Sequence, residues 1–278
     1  RTLCADYPVY GNNGEELGTM FSYSYIRTDV APGEQRPVLF AFNGGPGSSA
    51  LWLHMGLLAP ERVRLGDALN PPTVPPFELE TNPLCLLDVC DLVVIDPMGT
   101  GYGRLNGPAR AMDAFSLEGD ACIFADFIED WTAREDRWDS PKYLLGESYG
   151  TMRACLLPGI LTGGPMQAGA LARGVAINGV ILSGLCLSVD PTPNLWDEYG
   201  VERAVLDLPS MAAANWYISH DKKPDLRAFV QEAYDFCGEY LTALYRGRSL
   251  SAKEQRTLLE KLTYYTGLPA GYLKRKNY

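Results

Sequence analysis

Only two histidines, His54 and His220, occur in 278 residues. Any proton transfer that relies on imidazole therefore has two candidates within this chain. The sequence has no Asn-x-Ser/Thr sequon, which argues against a glycosylated secretory enzyme, and its cysteine spacings give no Cys-x-x-Cys pair. Basic residues cluster only at Lys274-Arg275-Lys276, and 24 Lys plus Arg against 34 Asp plus Glu leave a net charge of −10. That balance lacks the footprint of a nucleic-acid binder. No apolar run is long enough to span a bilayer: the uncharged stretch 174–189 is broken by Asn178 and Ser183 and reads as a buried strand with its turn. No signal-peptide pattern opens the chain. Seven cysteines is an odd number, so at least one thiol is unpaired within the chain. Cys122, Cys155 and Cys186 lie in apolar elements, where they are expected to act as small hydrophobes. No loop has calcium-binding spacing, and Asp113, Glu118, Asp120, Asp126, Glu129 and Asp130 read as the solvated face of a helix. The expectation is a soluble protein, with a reducing, cytoplasmic compartment favoured over a secreted or periplasmic one, and without metal, cofactor, nucleic-acid or membrane partner.

What the sequence does contain is a serine between glycines. Gly146-Glu147-Ser148-Tyr149-Gly150 follows the apolar run 143–145 and precedes a helix-compatible stretch, the pattern of a nucleophile elbow. Glycines are needed there because strand and helix pack too closely for a Cβ. Upstream, the apolar run 37–42 ends in Asn43-Gly44-Gly45-Pro46-Gly47-Ser48-Ser49. Acyl transfer through serine builds negative charge on the former carbonyl oxygen, and fixed backbone N–H groups stabilise it by about 3 kcal/mol each. One donor usually belongs to the residue after the nucleophile and the other to a glycine-rich loop on an earlier strand. Tyr149 and Gly45 fill those places. The segment 43–49 lacks the Gly-Lys-Ser/Thr ending of a nucleotide loop. Serine hydrolase is the leading reading.

These segments, taken with Asn82-Pro83, Leu87-Asp88, Val94-Ile95-Asp96-Pro97-Met98-Gly99-Thr100-Gly101-Tyr102 and the tail Tyr264-Tyr265-Thr266-Gly267-Leu268, resemble the serine carboxypeptidase family, in its bacterial branch. The resemblance covers essentially the whole chain in order and spacing. It implies an α/β-hydrolase fold and release of C-terminal amino acids from peptides through an acyl-enzyme. It implies Ser148 as nucleophile, the amides of Gly45 and Tyr149 as oxyanion hole, and Asn43 with Glu147 as the binders of the substrate's free carboxylate. Two positions depart from the family. Where many members have a Cys after Gly-Pro-Gly and a further Glu downstream, this chain has Ser48 and Leu57. His54, near Leu57, is either a polar contact for substrate or a packed side chain. An esterase or acyltransferase of the same fold is the nearest alternative, followed by a catalytically incomplete peptide-binding protein.

A serine nucleophile needs an adjacent imidazole, and the imidazole needs a carboxylate. Asp190, Asp197 or Asp207 with His220 satisfies the chain order of such a triad formally. His220, however, lies in the charged link Ser219-His220-Asp221-Lys222-Lys223 between helical segments. In the family the Asp and His come from strands beyond the equivalent of Tyr278. The expectation is therefore that this chain lacks a complete triad and that a C-terminal segment or a second chain supplies both residues.

Apolar patterning predicts strands over 19–26, 38–42, 62–65, 92–95, 142–145 and 175–182, with helices over 112–135 and 152–161. Strands alternating with helices predict a mainly parallel sheet covered on both faces. Residues 1–190 are read as the first part of the hydrolase core and 191–278 as a helical cap insertion over the cleft. Within the latter, Asp225 is read as an N-cap, Arg246-Gly247 as a stop and Ser251 as the next start.

Overall fold

Every residue of the runs 38–42 and 91–96 is buried. Apolar residues in unbroken succession suit strands covered on both faces, as in a parallel sheet, and these two lie side by side in parallel. The computed structural model describes residues 1–11, 13–31, 33–66, 70–106, 116–163, 173–186, 200–219 and 224–276. The chain divides into two compact units, Arg1–Ser188 and Val189–Tyr278. The boundary read from the sequence falls at 190/191, outside the described residues.

Strands of the first unit are β1 (Thr2–Tyr10), β2 (Glu16–Tyr25), β3 (Val38–Phe42), β4 (Glu61–Val63), β5 (Leu79–Thr81), β6 (Asp91–Asp96), β7 (Arg104–Leu105), β8 (Lys142–Glu147) and β9 (Gly179–Ser183). The main sheet runs β1-β2-β6-β3-β8-β9, with β7 paired to β2. The pairs β1/β2 and β2/β6 are antiparallel; β6/β3, β3/β8 and β8/β9 are parallel. This is the mainly parallel α/β sheet of an α/β-hydrolase. Helix α1 (Leu51–Leu53) continues into a π-helical turn, His54–Leu58, and is followed by α2 (Leu117–Arg134) and α3 (Gly150–Thr162). Side chains of β3 alternate between two cores, as the two-residue period of a strand requires. Phe40 and Phe42 pack with Phe124, Ile128 and Trp131 of α2 and Leu157 of α3. Leu39 and Ala41 pack with Leu53, Leu58, Leu92 and Val94.

The second unit contains α4 (Gly200–Ile218), α5 (Leu226–Arg246), α6 (Ala252–Thr266) and α7 (Ala270–Arg275). Its core joins Leu208, Ala212, Phe229, Phe236, Leu258, Leu262 and Tyr265. Local chemistry sets the helix ends. The Asp225 carboxylate accepts from the N–H groups of Arg227 and Ala228. Ser251 and Glu254 form a reciprocal capping box, which satisfies two otherwise orphaned donors.

Three expectations need correction. Residues 175–178 precede the strand, which begins at Gly179; Val175 is buried through packing instead. Cys122 and Cys155 are exposed, on the outer sides of α2 and α3, and all seven cysteines are free thiols. Asp120 is not on a solvated face: it is buried against Arg153. No helix among the described residues is long and apolar enough to cross a membrane.

Candidate active site

Strand β8 ends at Glu147 and helix α3 starts at Gly150, so the chain reverses at Ser148. Ser148 takes φ +56°, a left-handed conformation that costs a residue bearing a Cβ and persists only when surroundings impose it. Hydrogen bonds at both its N–H and its carbonyl hold it there. The Ser148 N–H donates to the Ser183 carbonyl of β9 at 2.9 Å, and the Thr151 hydroxyl donates to the Ser148 carbonyl at 2.7 Å. The flanking glycines follow from the tightness of the turn. A Cβ on Gly146 would sit 2.0 Å from the Gly150 carbonyl oxygen, and one on Gly150 would sit 3.0 Å from the Asn43 and Phe42 carbonyl oxygens.

The 43–49 loop leaves the end of β3 and runs against this turn. A Cβ on Gly44 would lie 2.4 Å from the Tyr149 nitrogen and 2.7 Å from the Glu147 carbonyl oxygen, so only a glycine permits the two bends to touch. Gly45 has φ +115°. Asn43 is the hinge of the arrangement. Its side-chain amide donates to Glu147 Oε2 at 3.0 Å, its Oδ1 accepts from the Leu53 N–H at 3.1 Å, and its backbone carbonyl accepts from Arg153 at 2.9 Å. One side chain thus links β3, α1 and β8.

Beneath the turn lies an ion pair that pattern reading of α2 placed on the surface. Arg153 donates to both carboxylate oxygens of Asp120, at 2.7 and 2.9 Å, and stacks its guanidinium over Phe124 at 4.0 Å. Burial pushes the Asp120 carboxyl above its ordinary range, against the opposing pull of Arg153. The sequence held one signal: Arg153 is the single charged residue in the apolar helix Gly150–Thr162, and an isolated charge in such a helix is normally paired when buried. Asp96, buried at the end of β6, serves the other end of the loop. Its carboxylate accepts from the N–H groups of Ala50 at 2.7 Å and Tyr102 at 3.1 Å.

Asn43, Gly45, Ser48, Trp52, Leu53, Gly56, Leu57, Glu147 and Ser148 line one cleft of about 570 Å³. The structure thus brings together Ser148, Gly45, Asn43 and Glu147, and Tyr149 lies at the start of the adjoining helix. Leu57, the position counted from the glycine motif, does face this cleft. His54 does not line it. Its Nε2 pairs with the Tyr25 hydroxyl at 2.8 Å, and its ring lies 4.2 Å from that of Tyr23. Burial holds the His54 pKa below its ordinary value, with Asp96 opposing. Asp207 lies on α4 of the second unit; Asp190, Asp197 and His220 lie outside the described residues. Asn82 anchors the cleft wall from behind, donating to the carbonyls of Leu57 at 2.6 Å and Ala59 at 2.8 Å.

No family model matches the chain. Among curated proteins it is 28% identical over 134 residues to serine carboxypeptidase-like 36 of Arabidopsis thaliana, a match covering 46% of this chain and 25% of that protein. It is also 28% identical over 142 residues to serine carboxypeptidase-like 13 of the same plant, covering 50% and 31%. The matches thus span about a quarter to a third of the curated relatives' length. Among solved structures, Kex1(delta)p, a prohormone-processing carboxypeptidase from Saccharomyces cerevisiae, superposes with a TM-score of 0.55 at 18% identity, over 95% of this chain and 53% of that one. The likeness to Kex1(delta)p establishes the fold. The strand order and that likeness give the α/β-hydrolase fold, and the sequence likeness is to serine carboxypeptidase-like proteins.

Proposed function

We propose that this chain carries the nucleophile of a serine carboxypeptidase. Ser148 Oγ attacks the carbonyl carbon of the last peptide bond. The N–H groups of Gly45 and Tyr149 stabilise the oxyanion, the C–N bond breaks, and the leaving amine takes up a proton as the C-terminal amino acid departs. Water then cleaves the acyl-serine ester. Asn43 and Glu147 receive the substrate's terminal carboxylate. The observation that carries the reading is Ser148 at φ +56° in a cleft it shares with Gly45 and with an Asn43–Glu147 hydrogen bond.

The imidazole that accepts the Ser148 proton, and its carboxylate, come in this reading from a further segment or a second chain seated beside β9. Among the described residues, strand β9 pairs on one side only, with β8. Its Val180, Ile181 and Leu182 are all exposed, although successive residues of a parallel strand are normally covered on both faces. The match to 53% of Kex1(delta)p supports the same idea.

A fluorophosphonate should label the full-length protein at Ser148, and Ser148→Ala should abolish both the label and peptide cleavage; absence of label on folded protein would end the serine-hydrolase reading. An esterase or acyltransferase is the second reading, favoured by a cleft lining with no cationic side chain among the described residues. Glu147→Gln separates the two. A carboxypeptidase loses its preference for free over amidated C-termini, whereas an esterase keeps its rate on neutral esters.

A further inference from the structure

Along β2 the pattern Phe21-Ser22-Tyr23-Ser24-Tyr25 alternates aromatic rings with buried serines. The two-residue period of a strand puts all three rings on one face. Asp96 of β6 pairs with Phe21 across the antiparallel ladder, and directly opposed residues share a face, so its carboxylate stands among the rings. Tyr102, on the loop that follows Asp96, closes over them. Its ring centroid lies 5.2 Å from that of Phe21 and 6.4 Å from that of Tyr23, at 73° to the latter ring. Tyr23, Leu51, His54, Asp96 and Tyr102 line a cavity of about 220 Å³. Among the described residues this cavity has no lining residue in common with the Ser148 cleft.

The charge inside the cavity is negative. Asp96 is 2% exposed. Its two oxygens accept from the N–H groups of Ala50 and Tyr102, which leaves part of their lone-pair capacity unused. Among the described residues no Lys or Arg is bonded to it, although buried carboxylates are normally paired with a cation. His54 does not supply one. Its Nε2 is engaged by the Tyr25 hydroxyl and burial lowers its pKa, so the imidazole is neutral at pH 7. Burial, with Asp96 adding to it, raises the Tyr23 phenol, so that ring is neutral too. Arg104 donates to the carbonyls of Gly101 and Gly103 and does not line the cavity.

Neutral phenol rings present electron-rich faces that attract cations, and two rings near a right angle above a carboxylate make the walls and floor of an aromatic cage. Hard metal ions demand a full shell of oxygen ligands, and among the described residues no three metal-ligating side chains gather. An alkylated ammonium ion asks only for ring faces and a counter-charge. The cavity is smaller than the roughly 300–1,000 Å³ of pockets for drug-sized molecules, so it suits a head group, and the exposed Leu51 and Tyr102 leave its mouth open to the rest of a ligand.

We propose that this cavity between β2, β6 and the 97–103 loop binds a small organic cation with an alkylated ammonium head group, held by the rings of Tyr23 and Tyr102 and the charge of Asp96. The net charge of −10 favours the approach of such a cation. The site is separate from that at Ser148, and the inference does not depend on the reaction proposed there.

The test is an NMR titration of the full-length protein with tetramethylammonium chloride at constant ionic strength, with tert-butanol as an uncharged counterpart of similar shape. Tetramethylammonium should bind at least about ten-fold more tightly than the alcohol. Tyr102→Ala, at an exposed position, should weaken the cation at least about five-fold, whereas Tyr102→Phe keeps the ring and should stay within about two-fold of the native protein. Asp96→Asn should weaken it about ten-fold. That variant also loses an acceptor for one of its two N–H partners, so the Tyr102 pair carries the test should it fail to fold. Choline and trimethyllysine carry the same head group on different bodies, and tighter binding of either than of tetramethylammonium upholds the site and identifies the body. Glu147→Gln and Trp52→Ala alter the Ser148 cleft and should leave the affinity unchanged. Loss of binding in either places the cation in that cleft and overturns the proposal. So do equal affinities for cation and alcohol, no binding of the cation, or a Tyr102→Ala variant that binds as well as the native protein.

Discussion

At Gly146 a methyl group has no room, because the carbonyl oxygen of Gly150 would lie 2.0 Å from it. That oxygen belongs to backbone at the start of α3 and cannot swing aside like a flexible side chain. Gly146→Ala should therefore destabilise the protein by on the order of 3 kcal/mol, read as a lower urea midpoint. His54 supplies a second residue-scale prediction. Its pKa is depressed by burial among Tyr23 and Tyr25, so between the folded value and the unfolded value of 6.5 the unfolded chain binds more protons. Stability is thus fully present above that unfolded value and is lost as pH falls through the window below it. Thermal melts of the native protein should show this decline, and His54→Gln, which can still pair with Tyr25, should flatten it.

At the scale of elements, the nucleophile turn is held by groups on four segments: β3 through Asn43, α2 through Asp120, α3 through Arg153 and β9 through Ser183. Removing one partner of a buried ion pair leaves the other charge uncompensated, which costs about 3–5 kcal/mol. Arg153→Met should show that loss in chemical denaturation. The double variant Asp120→Leu with Arg153→Met should recover much of it, since two apolar groups replace both charges. Recovery of fluorophosphonate reactivity should lag behind recovery of stability, because the bond from Arg153 to the Asn43 carbonyl is not restored. Strands such as 38–42 were legible in the sequence because burial on both faces demands an unbroken apolar run. The strand Thr2–Tyr10 was not predicted: with the pattern TLCADYPVY it lies at the sheet edge, half exposed, and carries a charge and a proline. Edge strands tolerate such residues because one side of their backbone needs no partner.

For the whole molecule, β9 is an edge of the sheet among the described residues. A strand with exposed Val180, Ile181 and Leu182 and, among the described residues, a partner on one side only is a template for further pairing. The 278-residue chain, expressed alone, should associate as its concentration rises, and Ile181→Lys should shift it toward monomer in sedimentation velocity. If association is unchanged by the lysine, β9 is not the surface responsible. The second unit, by contrast, closes its own apolar cluster around Phe229, Phe236 and Tyr265.

The sequence by itself determined the alternation of strands and helices, the capping of α5 and α6, and the positions where a glycine is unavoidable. All of these depend on residues close together in the chain, whose sterics and hydrogen bonds are local. It also placed Ser148, Gly45, Asn43 and Glu147 in one family pattern. Only the tertiary structure decided that Asp120 is buried, that His54 turns to Tyr25, and that Tyr23, Asp96 and Tyr102 wall one cavity. Those outcomes depend on which distant surfaces meet. The helical period of 117–134 marks Asp120 as polar, but only Arg153, 33 residues on, makes its burial tolerable. The end of the π-turn, likewise, meets a partner distant in the chain: Asn82, 25 residues beyond Leu57, donates to the Leu57 carbonyl.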